Sequence, residues 1–485
     1  MTTTDERILA IDVGTSSVRA TALTVAGQVV ASHTEPTPSQ FQPDGKVTVD
    51  PDELWQLVAT AIRHASHHQA IAAVGVTAQL GIVLVDAAHR PVAPALLWPD
   101  TRAREQSSRV ADARAQIPAF QPGRRASGES TAARLLWFAE HEPQQLRRAA
   151  QVLSLKDWLV LALTGEASTD PVHAGYSLLF DVTTGRWSEQ MFDALDLPAS
   201  LAPPIRDADA IAGVVTAAAA SATGVRAGTV VSVGGPDGTV GSLGAGAAHA
   251  ETVDIAGSTD VLVHPSDIPL IDPLQVVTTN AYLTGKAWTV GGATALTGGA
   301  MQWLARLLGF PGPAELLDRY GEQAGTLEAG AHPLMDPALG DHRFPYGGQR
   351  HHTGIAQLHL DSGPAHLVAA ANEGAAFTIR DGLTELARLG AQPSKLIIVG
   401  GLARDPHAVQ LRADVCNIDV RGISDGLASS RGAAMLASVA AGIHGALPAA
   451  SAALRAPGRD YRPDTARVPI YQQRHAQWHQ IFHSA

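Results

Sequence analysis

Cysteine is almost absent from the sequence, which has Cys416 alone among 485 residues. An intrachain disulfide and a zinc site built on several cysteine thiolates are therefore excluded. Because reducing compartments suit proteins without disulfides, we expect a cytoplasmic protein, although a cysteine-poor periplasmic protein would have the same composition. The first seven residues are polar and lack the basic and apolar regions of a signal peptide, so we expect none.

Long apolar runs and an excess of basic residues are also missing. The Ala-rich stretch at 432–453 is interrupted by Gly, His and Pro, and we expect no membrane-spanning segment of about 20 apolar residues. Charged residues make up 17% of the chain and the net charge is −11, which argues against a nucleic-acid partner. The apolar fraction of 45% is enough for sizeable cores, and at about 100–200 residues per domain the length suggests two to four domains.

What is present is an ordered series of strand and helix patterns. Apolar runs at 8–13, 18–25 and 29–33 predict a β-meander. Asp50 predicts the N-cap of a helix that begins at Pro51 and buries a stripe containing Leu54 and Val58. Strand patterns return at 71–77 and 82–85, and together these elements predict an α/β fold with mixed sheets faced by helices.

The second half of the chain repeats the opening plan in outline. A strand pattern at 252–256, a small polar turn and a strand pattern at 261–263 follow a boundary near residues 246–251. We therefore predict two domains, 1–248 and 249–485, with a cleft between them, where ligand sites are common. We also predict a largely helical segment at 131–163, and a surface segment between strands at 217–223.

The first motif with chemical potential is the turn Asp12-Val13-Gly14-Thr15-Ser16. Glycine lets the backbone approach a ligand closely, and hydroxyl and N–H groups can bind phosphate oxygens. A carboxylate at the end of the strand could hold a metal ion through water. The alternative interpretation is an ordinary hairpin turn, in which Asp12 bonds to the turn backbone.

Two further turns could bind the rest of a nucleotide. Gly257-Ser258-Thr259 repeats the residue types of the first turn, and two such turns could clamp a polyphosphate from opposite sides. Gly400-Gly401 follows a buried strand, with Asp405 shortly after it, and offers bare backbone to a nucleotide base or sugar. Taken alone, the first segment is better explained as a simple turn, and the second is only weakly specific for a nucleotide.

Two other segments could bind and activate an acceptor. In Gly234-Gly235-Pro236-Asp237-Gly238, a carboxylate among small residues is placed to accept a proton, although Pro-Asp-Gly is also a common turn. The segment Trp98-Pro99-Asp100-Thr101-Arg102 combines an aromatic ring, a carboxylate and a guanidinium, which suits a polyhydroxylated ligand. A local Asp–Arg ion pair beside a core Trp is the alternative there.

Three histidines, His475, His479 and His483, recur every four residues on a predicted terminal helix. Such spacing could form a metal-binding face. No carboxylate accompanies them in the sequence, and inward packing of Trp478 and Phe482 explains the pattern better.

Taken together and in this order, the motifs resemble those of the FGGY carbohydrate kinase family, closest to its xylulokinase-like branch. The resemblance runs from Ile8 to Leu447. The turns at 12–16 and 257–259 resemble the two phosphate motifs of the family, and 98–102 is similar to its W-x-D-x-R sugar-side segment. The segment 234–237 resembles the one that carries the catalytic Asp. Gly298 and Gln302 resemble adenine-side positions, and Gly400-Gly401 resembles the adenosine loop.

The resemblance implies two actin/RNase H-like domains that close on ATP, Mg²⁺ and a small sugar or polyol. It implies that Asp237 is the general base and that Asp12 and Asp237 position Mg²⁺ through water. The implied ATP- and phosphate-binding residues are Gly14, Thr15, Ser16, Gly257, Ser258, Thr259, Gly298, Gln302, Gly400, Gly401 and Asp405. The implied substrate-binding residues are Gln79, Leu80, Trp98, Asp100, Arg102 and Asp237.

The sequence departs from the family on the sugar side. Where relatives have Gly-Gln-Met-His-Gly, this chain has Ala78-Gln79-Leu80-Gly81, without the His that contacts the sugar. Gly238 stands where xylulokinases tend to have Asn, so the implied substrate is a small sugar, ketose, polyol or sugar acid rather than xylulose in particular. The alternatives are an actin- or Hsp70-like ATP-binding switch without sugar kinase activity, and a sugar-binding member that has lost catalysis. We also hypothesise that the protein forms a homodimer.

Overall fold

The structure is a computed structural model that describes residues 6–247, 251–285, 287–328, 330–339, 343–347 and 352–483. The chain divides into two compact units. Unit 1 comprises 1–246, 280–288 and 427–456, and unit 2 comprises 247–279, 289–426 and 457–485. The predicted domain boundary at residues 248 and 249 lies outside the described residues. Each unit is assembled from three separate segments, whereas the prediction made a single cut in the sequence.

The strands of the described residues are short to medium in length. In chain order they are β1 (Glu6–Val13), β2 (Ser17–Thr24), β3 (Val29–Pro36), β4 (Gln40–Phe41), β5 (Val47–Val49), β6 (Ala70–Ala78), β7 (Gly81–Val85), β8 (Ala95–Leu97), β9 (Gln151–Ser154), β10 (Phe180–Asp181), β11 (Arg186–Trp187), β12 (Ile211–Val214), β13 (Val230–Ser232), β14 (Gly235–Pro236), β15 (Glu251–Ala256), β16 (Asp260–Ser266), β17 (Thr278–Ala281), β18 (Trp288–Ala293), β19 (Leu334–Asp336), β20 (Gly354–Ala356), β21 (Lys395–Gly400), β22 (Asp419–Ile423) and β23 (Arg459–Tyr461).

The helices lie mainly between the strands. In chain order they are α1 (Pro51–Ser66), α2 (Gln106–Ala115), α3 (Thr131–His141), α4 (Pro143–Arg148), α5 (Leu155–Thr164), α6 (Pro171–Tyr176), α7 (Glu189–Ala194), α8 (Ala217–Thr223), α9 (Asp237–Gly244), α10 (Thr297–Leu307), α11 (Pro313–Thr326), α12 (Pro364–Arg388), α13 (Pro406–Cys416), α14 (Ala428–Ala440), α15 (Leu447–Leu454) and α16 (Val468–Phe482). Within the described ranges, none of these helices is long and apolar enough to cross a membrane.

The main sheet of unit 1 has the strand order β12-β13-β6-β1-β2-β3, and β14 also pairs with β6. Strand β1 is antiparallel to β2 and parallel to β6, so the sheet is mixed. The predicted β-meander is confirmed, because β2 also pairs antiparallel with β3. A second sheet of unit 1 has the order β4-β5-β8-β7-β9, and β10 pairs with β11.

Helices cover the main sheet of unit 1. The predicted helix start is confirmed, because the Asp50 carboxylate accepts hydrogen bonds from the backbone N–H groups of Asp52 and Glu53 at the beginning of α1. Leu54 and Val58 of α1 are buried in one apolar core with β1, β2 and α5. Helix α14 packs against β1 and β6. Because α14 belongs to the segment 427–456, the late return of the chain completes unit 1.

Two local predictions are confirmed with added detail, and one interpretation needs correction. The segment 131–163 is largely helical, with a short strand, β9, between helices α4 and α5. The segment 217–223 lies mostly at the surface between β12 and β13, and it forms helix α8, whose first turn is capped by the Thr216 hydroxyl. Pro236-Asp237-Gly238 is not an isolated turn, because Asp237 is the first residue of α9. Four-residue strands and Ala-rich turns give too short a pattern for periodicity to distinguish strand, helix and loop.

Unit 2 is built on the same plan. Its sheet has the order β17-β18-β16-β15-β21-β22-β23. Strand β15 is antiparallel to β16 and parallel to β21, as β1 is to β2 and β6. The long helix α12 buries Ile379 and Leu386 against this sheet, and it buries Phe377 against Trp478 of α16. The predicted α/β class with mixed sheets and flanking helices is confirmed for both units.

Candidate active site

In unit 1 the candidate phosphate turn is the connection between β1 and β2. The Gly14 N–H donates to the Ser17 carbonyl over 2.8 Å, and this closes the turn around Thr15 and Ser16. The Gly14 carbonyl accepts from Gln79 Nε2 over 3.1 Å and from the Thr37 hydroxyl over 2.9 Å. The turn is therefore held from two sides, which keeps its small polar groups in a fixed arrangement.

Two predicted substrate residues lie beside this turn. Gln79 is 1% exposed, and its Oε1 accepts from the Thr15 hydroxyl over 3.3 Å. Trp98 donates its indole N–H to the same hydroxyl oxygen over 3.0 Å. The structure thus brings the first phosphate turn together with Gln79 and Trp98, although they are separated by more than sixty residues in the sequence.

The sheet register brings Asp12 and Asp237 together. Thr77 of β6 lies opposite Asp12 of β1 on one side and opposite Gly235 of β14 on the other. Asp237 follows β14 directly and begins α9, where a carboxylate interacts favourably with the helix dipole. Both predicted carboxylates therefore lie at the same edge of the sheet, at the ends of strands on either side of β6.

Burial raises the pKa of both carboxyl groups, and the charge of Asp237 adds to the rise at Asp12. Burial and the negative charge of Asp237 raise the pKa of Asp12 to about 7, and Arg19 only partly offsets this rise. Burial also raises the pKa of Asp237, against the opposing influence of the Gly238 N–H and of His173. Carboxylates with raised pKa values are better proton acceptors near neutral pH, and close pairs of them attract a divalent cation.

A buried ionic cluster lies close to Gly235 of β14, and it was not predicted from the sequence. The Lys156 ammonium, fully buried on α5, contacts Asp157 at 2.5 Å and Asp170 at 3.1 Å and donates to the Val233 carbonyl over 2.9 Å. Although burial alone would lower the pKa of Lys156, the two carboxylates raise it. Burial would likewise raise the pKa of Asp170, but the charges of His173 and Lys156 lower it.

His173 extends this cluster toward a cavity. Its Nδ1 is 2.6 Å from Asp170 Oδ2, and Asp170 also caps the N-terminus of α6. The residue is 8% exposed, and its Nε2 has no hydrogen-bond partner among the described residues. His173 and Leu80, a predicted substrate residue, line the same cavity of about 50 Å³. A lysine inside the apolar helix run 155–163 was the sequence signal that could have revealed the cluster.

The Asp100–Arg102 pair has a more structural setting. Asp100 is buried and accepts from the Val47 N–H over 2.9 Å, while Arg102 Nη2 donates to its Oδ2 over 2.8 Å. The Arg102 guanidinium also lies 4.7 Å from the centre of the Trp137 ring. The ion pair matches the alternative interpretation of the motif, but Trp98 is 40% exposed and is not a core residue, and the ring beside Arg102 is that of Trp137. Asp100 holds Arg102 in place.

In unit 2 the turn Gly257-Ser258-Thr259 joins β15 to β16, as predicted. The Gly257 N–H donates to the Thr259 carbonyl over 3.2 Å, and the Ser258 carbonyl accepts from the Gly299 N–H over 2.8 Å. A Cβ atom on Gly298 would lie 2.0 Å from the Gly257 carbonyl oxygen, so only glycine lets the start of α10 approach the turn this closely. Gln302 lies exposed one turn further along α10.

The Gly400-Gly401 loop reaches the same turn through the sheet. Ala256 at the end of β15 pairs with Gly400 of β21, and the Gly401 N–H donates to the Ala256 carbonyl over 3.1 Å. Gly400 has a φ of +96°, a backbone conformation that favours glycine. Asp405 caps helix α13 by accepting from the N–H groups of His407 and Ala408. The predicted nucleotide residues of unit 2 thus gather at the ends of β15 and β21, with Asp405 in a capping role.

Family models identify both halves of the chain. The N-terminal domain model of the "FGGY family of carbohydrate kinases" matches residues 7–244, and the C-terminal domain model of the same family matches residues 255–441. Together these matches cover most of the chain.

Individual relatives match over nearly the full length. The chain is 29% identical to a xylulose kinase from Escherichia coli (strain K12), over 98% of each chain. It is 28% identical to an autoinducer-2 kinase from Yersinia pseudotuberculosis serotype O:3, over 99% of this chain and 95% of that protein. Among solved structures, a "xyloylose kinase" from Brucella ovis has a TM-score of 0.89 at 26% identity and covers 98% of both chains.

Proposed function

The chain belongs to the FGGY family of carbohydrate kinases, and from this premise we propose that it transfers a phosphoryl group from ATP to a hydroxyl of a small sugar, ketose, polyol or sugar acid. Kinases of this family use ATP as the phosphate donor. Membership of the family favours a sugar kinase over the actin- or Hsp70-like switch. We place the activity in the cytoplasm, in line with the single cysteine, and the homodimer stays a prediction.

The observation that carries the proposal is the placement of Asp237 beside Asp12 at the end of β1, β6 and β14. Asp237 accepts the proton of the attacking hydroxyl, and its raised pKa favours this role near neutral pH. Thr15 and Ser16 offer hydroxyl and N–H groups to the phosphoryl oxygens. Phosphoryl transfer depends mainly on positioning and charge stabilisation, so one base and a rigid phosphate turn are sufficient protein machinery.

The carboxyl groups of Asp12 and Asp237 suit Mg²⁺, which prefers oxygen ligands and usually keeps several waters. When bound, Mg²⁺ would supply charge neutralisation for the phosphates. Asp12 lies near the end of β1, and this strand fixes the position of its carboxylate. The repulsion between Asp12 and Asp237 contributes to the raised pKa of Asp12. A bound cation would reduce this repulsion.

We propose that the nucleotide binds in unit 2 to two glycine-containing segments, the Gly257-Ser258-Thr259 turn and Gly400-Gly401. Their exposed backbone groups lie at the ends of parallel strands, where nucleotides often bind. Gln302 is proposed to contact the base from α10. The acceptor is proposed to lie against Trp98, Gln79 and Leu80 in unit 1, with Arg102 held beside them by Asp100.

Substitution of Asp237 by Asn tests the proposal. The variant keeps the shape of the side chain but cannot accept the proton, and we expect sugar-dependent ADP release to fall by about 10²–10⁴-fold. ADP release is measured over a panel of ketoses, polyols and aldonic acids. Near-normal turnover of D237N with a sugar that the wild type phosphorylates would refute the role of Asp237 as base.

A matched control separates loss of the base from loss of one negative charge. Asp44 lies in the same unit and is exposed, with an ion pair to Lys46. D44N removes the same charge as D237N and should retain wild-type turnover. Thermal shift with a non-hydrolysable ATP analogue checks that D237N still folds and binds nucleotide.

A further inference from the structure

A cluster of two imidazoles and one carboxylate lies in unit 2, apart from the residues assigned to catalysis. His475 Nε2 is 2.8 Å from Asp381 Oδ1, and His479 Nε2 is 2.9 Å from Asp381 Oδ2. One ligand atom from each of the three residues lies within 4.8 Å of the others. The sequence showed the histidine spacing without a carboxylate, and the structure supplies Asp381 from α12, 94 residues before His475.

We propose that Asp381, His475 and His479 form a binding site for a zinc-like transition-metal ion. Two imidazole nitrogens and one carboxylate oxygen are a common protein ligand set for Zn²⁺, with water in the fourth position. Imidazole ligands disfavour Mg²⁺ and Ca²⁺, which prefer oxygen. The site is therefore chemically distinct from the proposed Mg²⁺ position at Asp12 and Asp237.

The geometry needs little adjustment to accept the ion. Metal–ligand distances of about 2.0–2.1 Å place tetrahedral ligands roughly 3.3 Å apart. The two nitrogens are now 2.8 and 2.9 Å from different oxygens of the carboxylate, and one ligand atom of each residue lies within 4.8 Å of the others, so shifts on the order of an ångström would reach this spacing. The His475 and His479 rings lie at 84° to each other with centroids 4.6 Å apart, which directs them at one carboxylate from different sides.

Surrounding contacts orient the ligands and leave an entry path. The Tyr346 hydroxyl donates to Asp381 Oδ2 over 2.6 Å, the kind of outer contact that fixes a ligating carboxylate. The His475 side chain is 15% exposed, whereas that of His479 is 40% exposed and leaves the cluster accessible from solvent.

The site would fasten α16 to α12. Arg474, the residue before His475 on α16, already forms a buried ion pair with Glu373 on α12. The hydrogen bonds of His475 and His479 to Asp381 also join these two helices, and a metal ion would replace them by stronger coordinate bonds. We therefore expect the ion to stabilise the C-terminal helix rather than to take part in catalysis.

Cobalt(II) and zinc binding to the full, untagged, chelator-treated chain test the site. We expect one equivalent of Co²⁺ to give the visible absorption of a four-coordinate complex, and we expect Zn²⁺ to displace it. D381N and H479Q should each bind at least about tenfold more weakly. H479Q changes a partly exposed side chain and should fold normally, which circular dichroism checks.

A second histidine pair provides the control. His67 and His68 lie in unit 1 with ring centroids 3.8 Å apart, and H67Q/H68Q should bind Co²⁺ as the wild type does.

Zn²⁺ should also slow hydrogen exchange in α16 of the wild type but not of H479Q. Absence of Co²⁺ absorption in the wild type, or wild-type affinity in both D381N and H479Q, would overturn the proposal.

Discussion

Asp12 should make the stability of unit 1 depend on pH. Its pKa of about 7 in the folded protein lies above its ordinary value of 3.8, so the folded state holds the proton more tightly than the unfolded state does. The resulting destabilisation is absent below about pH 4, grows as the pH rises toward 7 and is complete above it. At about 1.36 kcal/mol per pKa unit, it amounts to at most about 4 kcal/mol.

The variant D12N tests this expectation. Without the carboxylate it should melt at a higher temperature than the wild type at pH 8, and the difference should shrink toward pH 4. Added Mg²⁺ should raise the melting temperature of the wild type more than that of D12N. A difference between the two proteins that does not change with pH would contradict the raised pKa.

His173 should determine how well the acceptor binds. Its buried Nε2, which has no hydrogen-bond partner among the described residues, lies in an imidazole that Asp170 holds in place. We expect it to bond a hydroxyl of the acceptor, in place of the histidine that the Ala78–Gly81 segment lacks. Leaving a buried partner without its hydrogen bond costs about 1–3 kcal/mol, so H173A should lower kcat/KM for the sugar by roughly 5–150-fold.

The KM for ATP shows whether H173A affects sugar binding alone or the structure as a whole, and we expect it to stay unchanged. H173Q keeps a hydrogen-bond donor and should recover part of the sugar affinity. If H173A lowers only the melting temperature and leaves the KM for the sugar at the wild-type value, His173 has a structural role alone.

At the scale of elements, the terminal helix depends on a buried charge pair. Arg474 Nε and Nη2 donate to the two Glu373 oxygens, each over 2.6 Å, and both side chains are buried. E373A leaves the guanidinium buried without its carboxylate, and we expect a loss of about 3–5 kcal/mol. Thermal melting and hydrogen exchange of α16 measure it.

The double variant E373M/R474M is the informative comparison. It replaces both charges by apolar side chains of similar length, and such replacements of a buried pair are often neutral or stabilising. We therefore expect it to be more stable than E373A. Equal destabilisation of the single and double variants would show that packing, and not the unpaired charge, accounts for the loss.

Local sequence signals predicted some elements and missed others. Asp50-Pro51 marked the start of α1, because a capping carboxylate and a proline act within a few residues. The strand β9 and the helix α8 escaped prediction, because each is too short to show a period. Asp237 was placed correctly beyond a strand, but the helix that it begins consists largely of Gly, Ser and Thr, which are weak helix formers.

The candidate active site and the proposed metal site show the same difference between local sequence signals and contacts made by tertiary packing. The polar turns after β1 and β15 were visible as short motifs. The Lys156–Asp170 and Asp381–His475 contacts were not, because each joins residues of separate helical elements that only tertiary packing brings together. Pairings over such sequence separations leave no local pattern.

At the scale of the whole molecule, unit 1 is completed by the late segment 427–456. Ala433, Ala434 and Leu436 of α14 are buried in one core with Ile8 and Ala10 of β1. A fragment that ends at residue 246 lacks this layer, and we expect it to expose the apolar face of its sheet. It should bind a hydrophobic dye and be cleaved rapidly by protease.

A fusion supplies the control for the fragment. Residues 1–246 joined by a flexible linker to 427–456 should regain most of the protease resistance, because α14 is restored and only the short segment 280–288 of unit 1 is still missing. A stable, compact 1–246 fragment without dye binding would contradict the role given to α14.

The split of unit 1 also has a consequence for how the protein is made. A ribosome adds about 5–20 residues per second, and about 180 residues separate position 246 from position 427. For roughly 10–40 seconds, the emerging chain therefore carries β1 and β6 without α14. During that interval the nascent protein is a natural client for chaperones, and slower translation of the second half would lengthen its exposure to aggregation.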